Sequence, residues 1–111
     1  MKKLFIDDIR NPVDSTYDVV RSYDDAIAFM QSKGCPQFIT FDHDLGEADA
    51  GTGYDIAKWM VEQDLNGNFI PADFNYDVHS ANPVGAANIR GLLDNYLAVR
   101  EVYDETTGKR I

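Results

Sequence analysis

The sequence predicts a single α/β domain over residues 1–111, in which helices and a mostly parallel sheet of four or five strands form three layers. Two observations indicate this fold class. Short apolar runs alternate along the chain with longer segments whose apolar residues recur at helical spacing, a pattern typical of parallel strands joined by helices. The 111 residues, 44% of them hydrophobic, are enough for one core, and no repeat or linker divides them.

Four short runs rich in apolar residues predict the strands. The first is continuously apolar from Leu4 to Ile6, as expected where helices cover both faces of a sheet. Only a loop or a short turn fits between the first two runs, so the first helix is predicted to be reduced or missing. The predicted strands are Lys3–Ile6, Tyr17–Arg21, Gln37–Phe41 and Phe74–Val78.

Capping residues predict where three helices begin. Ser22 and Thr52 each precede an aspartate by three residues, which is the spacing of a capping box. Asn82 is a favoured N-cap, and the proline after it suits a first helical position. The helices are expected over residues 22–33, 52–66 and 82–98. The tail has two interpretations: a frayed end, or a fifth strand at the sheet edge around Val99–Tyr103.

The composition limits the classes of function and partner. A formal net charge of −9 argues against binding long duplex nucleic acid, because that depends on lysines and arginines. It leaves a small phosphate ester, a nucleotide or an RNA end as partners, since a bound cation reverses the local charge. Cys35, the only cysteine, cannot form an internal disulfide and is expected to be a small buried side chain. No apolar run is long enough to cross a membrane, so we expect a cytoplasmic protein.

Three clusters of polar side chains directly follow predicted strands. In parallel sheets, ligands bind beyond the carboxyl ends of the strands. Clusters that are far apart in the sequence are therefore expected to converge on one pocket. The clusters are Asp7-Asp8-Ile9-Arg10, Asp42-His43-Asp44-Leu45-Gly46 and His79-Ser80-Ala81-Asn82-Pro83.

The carboxylates of the first two clusters predict a site for a divalent metal ion. Asp7, Asp8 and Asp42, with Asp44 close by in the sequence, offer the oxygen ligands that Mg²⁺ and Mn²⁺ prefer. The simpler alternatives are that Asp7 and Asp8 only begin a turn, and that residues 42–46 form an ordinary loop.

The two histidines of the chain, His43 and His79, suggest acid–base chemistry. Imidazole exchanges protons near neutral pH, so the pair suits a general base and a general acid. Which histidine has which role stays open. Asp42 is a third catalytic candidate.

Three further polar side chains are candidates for binding phosphate oxygens. Arg10 offers a planar guanidinium, and Ser80 and Asn82 lie where a helix begins, where free backbone N–H groups attract anions. The alternative for Ser80 and Asn82 is that they only cap this helix.

The order of these motifs resembles that of response-regulator receiver domains. That family has an acidic pair after strand one, a phosphoacceptor aspartate after strand three and Thr/Ser-Ala after strand four. Asp7-Asp8, Asp42 and Ser80-Ala81 match these positions in order. Two departures are the reduced first helix and the absence of a lysine–proline pair after a fifth strand.

The segment from Leu4 to about Leu93 is more similar to the cyclic-phosphate-processing receiver-like family. Its hallmarks are an Asp-Asp-x-Arg-x-Pro start, an Asp-His-Asp-Leu-Gly core and a His-Ser-Ala-Asn-Pro run, which occur here from Asp7, Asp42 and His79. The resemblance implies a receiver-like, flavodoxin-like fold. It also implies a metal-assisted phosphoesterase or cyclic-phosphate-processing domain that acts on a nucleotide or RNA end.

Two other functions stay open. The missing lysine favours a non-catalytic receiver-like module that binds a protein partner or a phosphorylated ligand. A covalent phosphorylation switch at Asp42 is the third hypothesis. Turnover of a cyclic nucleotide separates the first hypothesis from the other two.

Overall fold

The computed structural model describes residues 2–46 and 50–107, with residues 101–107 described by their backbone alone. Its elements in chain order are Lys3–Ile6 (β1), Tyr17–Val20 (β2), Tyr23–Lys33 (α1), Phe38–Phe41 (β3), Gly53–Gly67 (α2), Asn75–Val78 (β4) and Pro83–Thr107 (α3). The strands form one sheet in the order β2-β1-β3-β4, and every neighbouring pair is parallel. The predicted α/β receiver-like fold is confirmed, with four strands.

The predicted caps fix where the three helices start. The Ser22 hydroxyl accepts a hydrogen bond from the backbone of Asp25 at 3.0 Å. Thr52 and Asp55 form both bonds of a capping box. The Asn82 side-chain oxygen accepts the Gly85 N–H at 2.9 Å. Short polar side chains therefore satisfy N–H groups of the first turn of each helix and mark its start.

The helix α3 runs to Thr107, well past the predicted end near residue 98. A fifth strand around Val99–Tyr103 is therefore wrong, because these residues continue the helix. No glycine or proline interrupts the sequence between Gly91 and Gly108. Arg100 also ties this part of the helix to the body of the domain, since its guanidinium donates to the Ile70 carbonyl at 2.9 Å. Although α3 has 25 residues, the described part of the chain has no helix apolar enough to cross a membrane.

The main core lies between one face of the sheet and all three helices. Side chains alternate between the two faces of a strand, so every second residue points towards the helices. Right-handed crossovers place α1 and α2 on the same face, and α3 packs beside α2. The fully buried side chains of this core are Leu4, Ile6, Ala26, Ile39, Phe41, Ile56, Ala57, Met60, Ile89 and Leu93.

The opposite face of the sheet carries a separate group of aromatic side chains. Tyr17 contacts both Phe5 and Phe38, and the three side chains are not part of the main core. Among the described residues no helix covers this face. The helix that would do so belongs between β1 and β2, where residues 7–16 form only a loop. The described residues thus form two layers, and the predicted third layer is not among them.

Candidate functional site

Asp7 is fully buried at the carboxyl end of β1, and each of its oxygens has partners. Oδ1 accepts the backbone N–H groups of Ile9 at 3.0 Å and Arg10 at 2.8 Å. Oδ2 lies 3.0 Å from Arg10 Nε and 2.9 Å from His79 Nε2. Burial alone would raise the pKa of Asp7, but these hydrogen bonds and the Arg10 charge outweigh it and lower the pKa. Asp7 is therefore a fixed carboxylate at neutral pH.

Asp42 occupies the matching position at the end of β3 and is almost as buried as Asp7. Its backbone N–H donates to the Ile6 carbonyl at 2.9 Å, which extends the pairing of β1 and β3 by one residue. Burial raises the pKa of Asp42, and the negative charge of Asp7 raises it further. The two carboxyls are thus shifted in opposite directions, a feature typical of functional sites.

The imidazole of His79 completes this cluster from the end of β4. Its Nε2 lies 2.9 Å from Asp7 Oδ2, and its Nδ1 lies 2.8 Å from Thr40 Oγ1. The ring also stacks on Phe5, with ring centroids 4.6 Å apart and an angle of 9° between the planes. Two hydrogen bonds and a stacked ring hold the imidazole in one orientation.

Asp7, Asp42 and His79 form a candidate metal site, since each offers one ligand atom and these atoms lie within 4.8 Å of one another. Of the four predicted metal ligands, Asp7 and Asp42 belong to this group. His79, predicted as an acid or base, supplies its third member. Asp8 and Asp44 lie outside the group.

The guanidinium of Arg10 is the positive charge beside these carboxylates. Besides its contact with Asp7, it lies 3.8 Å from Asp42 Oδ2, and its side chain is 50% exposed. A divalent ion at the same carboxylates would compete with this guanidinium. Because Arg10 is half exposed, it can turn outwards without leaving a void in the core.

A second polar cluster adjoins the first through the peptide that joins Asp42 to His43. His43 Nδ1 lies 2.9 Å from Asp44 Oδ1, while Nε2 has no hydrogen-bond partner among the described residues. Asp44 is exposed and lies 3.5 Å from the side-chain nitrogen of Asn82. The two predicted histidines therefore reach the same edge of the sheet in different clusters.

Two glycines let α2 and α3 approach this second cluster closely. A Cβ on Gly85, in the first turn of α3, would overlap the imidazole ring of His43. A Cβ on Gly53 would overlap the carbonyl oxygen of Asp42. The backbone N–H of Gly53 also donates to the His43 carbonyl at 2.8 Å. Glycine at these two positions therefore lets the first turns of α2 and α3 pack directly against the loop after β3.

The predicted phosphate-binding residues are spread over both clusters. Arg10 lies on the carboxylates of the first cluster. Ser80 Oγ accepts the Asn82 N–H at 3.0 Å, and Asn82 caps α3, so both have the capping role considered as the alternative. The Asn82 amide nitrogen also faces the Asp44 carboxylate at 3.5 Å, so an anion at this position would have to compete with Asp44 for it.

Sequence reasoning missed three side chains that shape the site. Thr40 and Phe5 hold the His79 ring, and each lies two residues before a carboxylate on its strand, so side-chain alternation was a usable signal. Arg21 holds the loop after β1, since its guanidinium donates to the Arg10 carbonyl at 2.6 Å and to the Asn11 side chain at 2.5 Å. No sequence motif indicates that contact.

Cys35 has no chemical role in this site. Burial raises the pKa of its thiol to about 12, so it stays protonated and unreactive at neutral pH. The side chain, predicted to be buried, is partly buried and packs against the edge of the main core.

We expect Asp42→Asn to make the folded protein more stable at neutral pH, by about 1 kcal/mol. The raised pKa means that the ionised carboxyl is disfavoured in the fold, so its cost is present above that pKa and disappears as pH falls below it. Urea unfolding at neutral and acidic pH measures the difference. Asp44→Asn is the control, because a hydrogen bond from His43 lowers the pKa of Asp44. A loss of stability for Asp42→Asn at neutral pH would contradict the prediction.

Comparison with known proteins identifies the family. A protein-family model described as the cyclic-phosphate processing receiver domain matches residues 2–95. The match spans all four strands and every residue of both clusters. Searches of curated proteins and of solved structures gave no match. With most of its length matched by this model, the chain belongs to the cyclic-phosphate processing receiver domain family.

Proposed function

We propose that this domain is a metal-assisted phosphoesterase that opens the cyclic phosphate of a nucleotide or an RNA end. The observation that carries the proposal is the convergence of Asp7, Asp42 and His79 at the ends of three parallel strands. Membership of the family supports a cyclic phosphate as the group that is processed.

The donor set of the first cluster suits Mg²⁺ or Mn²⁺. Asp7 and Asp42 are buried carboxylates side by side, an arrangement that a divalent ion stabilises. Thr40 Oγ1 is placed to accept the Nδ1 hydrogen of His79, which leaves the Nε2 lone pair for the ion. When bound, the ion would polarise a phosphoryl oxygen and neutralise charge on the phosphate.

His43 is the side chain that we assign to proton transfer. Asp44 contacts its Nδ1 and would orient the ring, as a carboxylate orients the histidine of many hydrolytic sites. In its doubly protonated form the ring would then give the Nε2 proton to the ester oxygen that leaves the phosphorus, and Nδ1–H would stay on Asp44. The Ser80 hydroxyl and the Asn82 amide lie on the loop between β4 and α3 and would hold the phosphate oxygens that do not react.

We expect Gly85→Ala to lower turnover by about 100-fold, because the added methyl displaces the His43 ring and misplaced catalytic groups lose about that much. Affinity for Mn²⁺ should not change, since the first cluster is untouched. Steady-state kinetics and calorimetric titration measure both quantities. Gly91→Ala is the matched control, as it lies on the same helix facing open space. Equal turnover of the two variants would exclude the assigned role of His43.

We assign two roles to Arg10, and its removal should therefore strengthen the binding of the metal ion and weaken the binding of the phosphate ester. It competes with the ion for Asp7 and Asp42, and it binds phosphate once it is displaced. We expect Arg10→Gln to tighten Mn²⁺ binding several-fold and to raise KM for the phosphate ester by about tenfold.

Calorimetry with Mn²⁺ and steady-state kinetics test this pair of effects. Arg21→Gln is a useful control, because Arg21 holds the same loop but contacts neither carboxylate side chain. Weaker Mn²⁺ binding by Arg10→Gln would show that the guanidinium supports the ion instead of competing with it.

Incubation with nucleoside 2′,3′-cyclic phosphates and Mn²⁺ tests the proposed function. The expected product is a phosphate monoester, formed by water adding to phosphorus as one ester bond breaks. Turnover should need the ion and should be lost in His79→Ala. Binding of the nucleotide with no product would instead favour a non-catalytic module.

A further inference from the structure

We propose that the open face of the sheet is a stacking surface for nucleobases, which makes the substrate an RNA end of at least two nucleotides. This inference rests on the proposed function and names the substrate class of that site. It concerns Phe5, Tyr17, Phe38 and Lys3, which we call the aromatic face.

The aromatic face is continuous with the metal cluster. Phe5 lies two residues before Asp7 on β1, so both side chains are on the same face of the strand. The Phe5 ring stacks on the His79 ring, which itself contacts Asp7. The rest of an RNA end whose phosphate binds at this cluster would therefore lie along the aromatic face, on the side of the sheet away from the helices.

Two aromatic rings farther from the cluster are partly exposed. Tyr17 and Phe38 flank β1 at the level of Lys3, with ring centroids 6.4 Å apart. That level is four residues before Asp7, or about 13 Å along a parallel strand. Phe5 is itself buried against the neighbouring rings, so Tyr17 and Phe38 are the rings that would stack on the base of the preceding nucleotide.

Lys3 supplies the positive charge for the linking phosphate. Its Nζ lies 4.3 Å from the centre of the Tyr17 ring. Open sheets that combine aromatic rings with basic side chains bind single-stranded RNA by stacking, which tolerates different bases. A contact with one or two phosphates is also compatible with the net charge of −9.

The test compares three substrates that end in a 2′,3′-cyclic phosphate: adenosine, the adenosine dinucleotide, and the same dinucleotide without the first base. We expect kcat/KM for the full dinucleotide to exceed the other two by about tenfold, which corresponds to one stacked base. Tyr17→Leu should remove this preference through KM with kcat unchanged. Tyr17→Trp should restore it, which a purely structural role for the ring would not do.

Tyr54→Leu is the matched control, because its ring lies under Lys58 in a similar contact but on α2, away from the aromatic face. Equal kcat/KM for all three substrates would overturn the stacking surface while leaving the phosphoesterase intact. If no substrate turns over, the Kd for the dinucleotide 3′-phosphate is measured instead. Tenfold weaker binding by Tyr17→Leu would support stacking without catalysis, and unchanged binding would overturn the stacking surface. A dimer in sedimentation that Tyr17→Leu dissociates would also overturn it, because a second copy would then cover the face.

Discussion

Asp7→Asn is expected to lower Mn²⁺ affinity by about 100-fold and turnover by at least as much. The asparagine keeps the shape of the side chain and can still accept the two backbone N–H groups. It loses the charge, however, and its amide nitrogen would face Arg10 Nε and His79 Nε2. The change therefore removes a ligand and also disturbs the histidine beside it.

The neighbouring aspartate gives a matched control for this prediction. Asp8 differs from Asp7 by one position, so it points to the other side of the strand end and lies outside the metal cluster. Asp8→Asn should change Mn²⁺ affinity and turnover by less than about threefold. Calorimetry and steady-state kinetics measure both variants. Equal losses in the two variants would mean that general negative charge, and not the cluster, attracts the ion.

Asp64→Asn is expected to cost about 3 kcal/mol of unfolding free energy, a large part of the total for a domain of this size. Asp64 is fully buried near the end of α2, where Oδ1 accepts the N–H groups of Phe69 at 2.7 Å and Ile70 at 2.8 Å. Its other oxygen accepts the Tyr96 hydroxyl at 2.6 Å and lies 3.3 Å from Arg100. An amide there would leave the Arg100 charge without its carboxylate.

Urea unfolding measures this loss of stability. Asp94→Asn is the control, because Asp94 also accepts a tyrosine hydroxyl, that of Tyr76, at 2.5 Å but on the exposed side of α3. Exposed pairs contribute about 0–1 kcal/mol, so the control should unfold almost as the wild type does. Similar losses of unfolding free energy in the two variants would show that the burial of Asp64 does not determine how much its hydrogen bonds and ion pair stabilise the fold.

The strands and helix starts were predictable because local signals determine them. An apolar run of four residues and a capping side chain such as Ser22 or Thr52 act over a few positions. Local signals determine the end of α3 less well, because the run without glycine or proline after Gly91 allows the helix to continue but does not require it. Arg100 contacts the carbonyls of Ile70 and Pro71, about 30 residues away in the sequence, and such contacts are not visible in a local pattern.

The candidate site was predictable as a location but not in its detail. The rule for strand ends of parallel sheets brought Asp7, Asp42 and His79 to one edge. Alternation along the strand then separates Asp7 from Asp8, and Asp42 from His43, a distinction that depends on where each strand stops. The aromatic face is open because the described residues 7–16, between β1 and β2, form no helix. Phe5 and Tyr17 become neighbours only when their strands pair in the sheet, so the sequence alone did not indicate their contact.

Phosphorus NMR of adenosine 2′,3′-cyclic phosphate, incubated with the protein and Mg²⁺, tests the central claim most directly. The signal of a strained five-membered cyclic phosphate is well separated from that of a monoester, so ring opening is read without a coupled assay. We expect conversion to the monoester that requires Mg²⁺ and is lost in both Asp7→Asn and His79→Ala. An unchanged cyclic signal with both Mg²⁺ and Mn²⁺, or conversion that Asp7→Asn leaves intact, would contradict the proposed function.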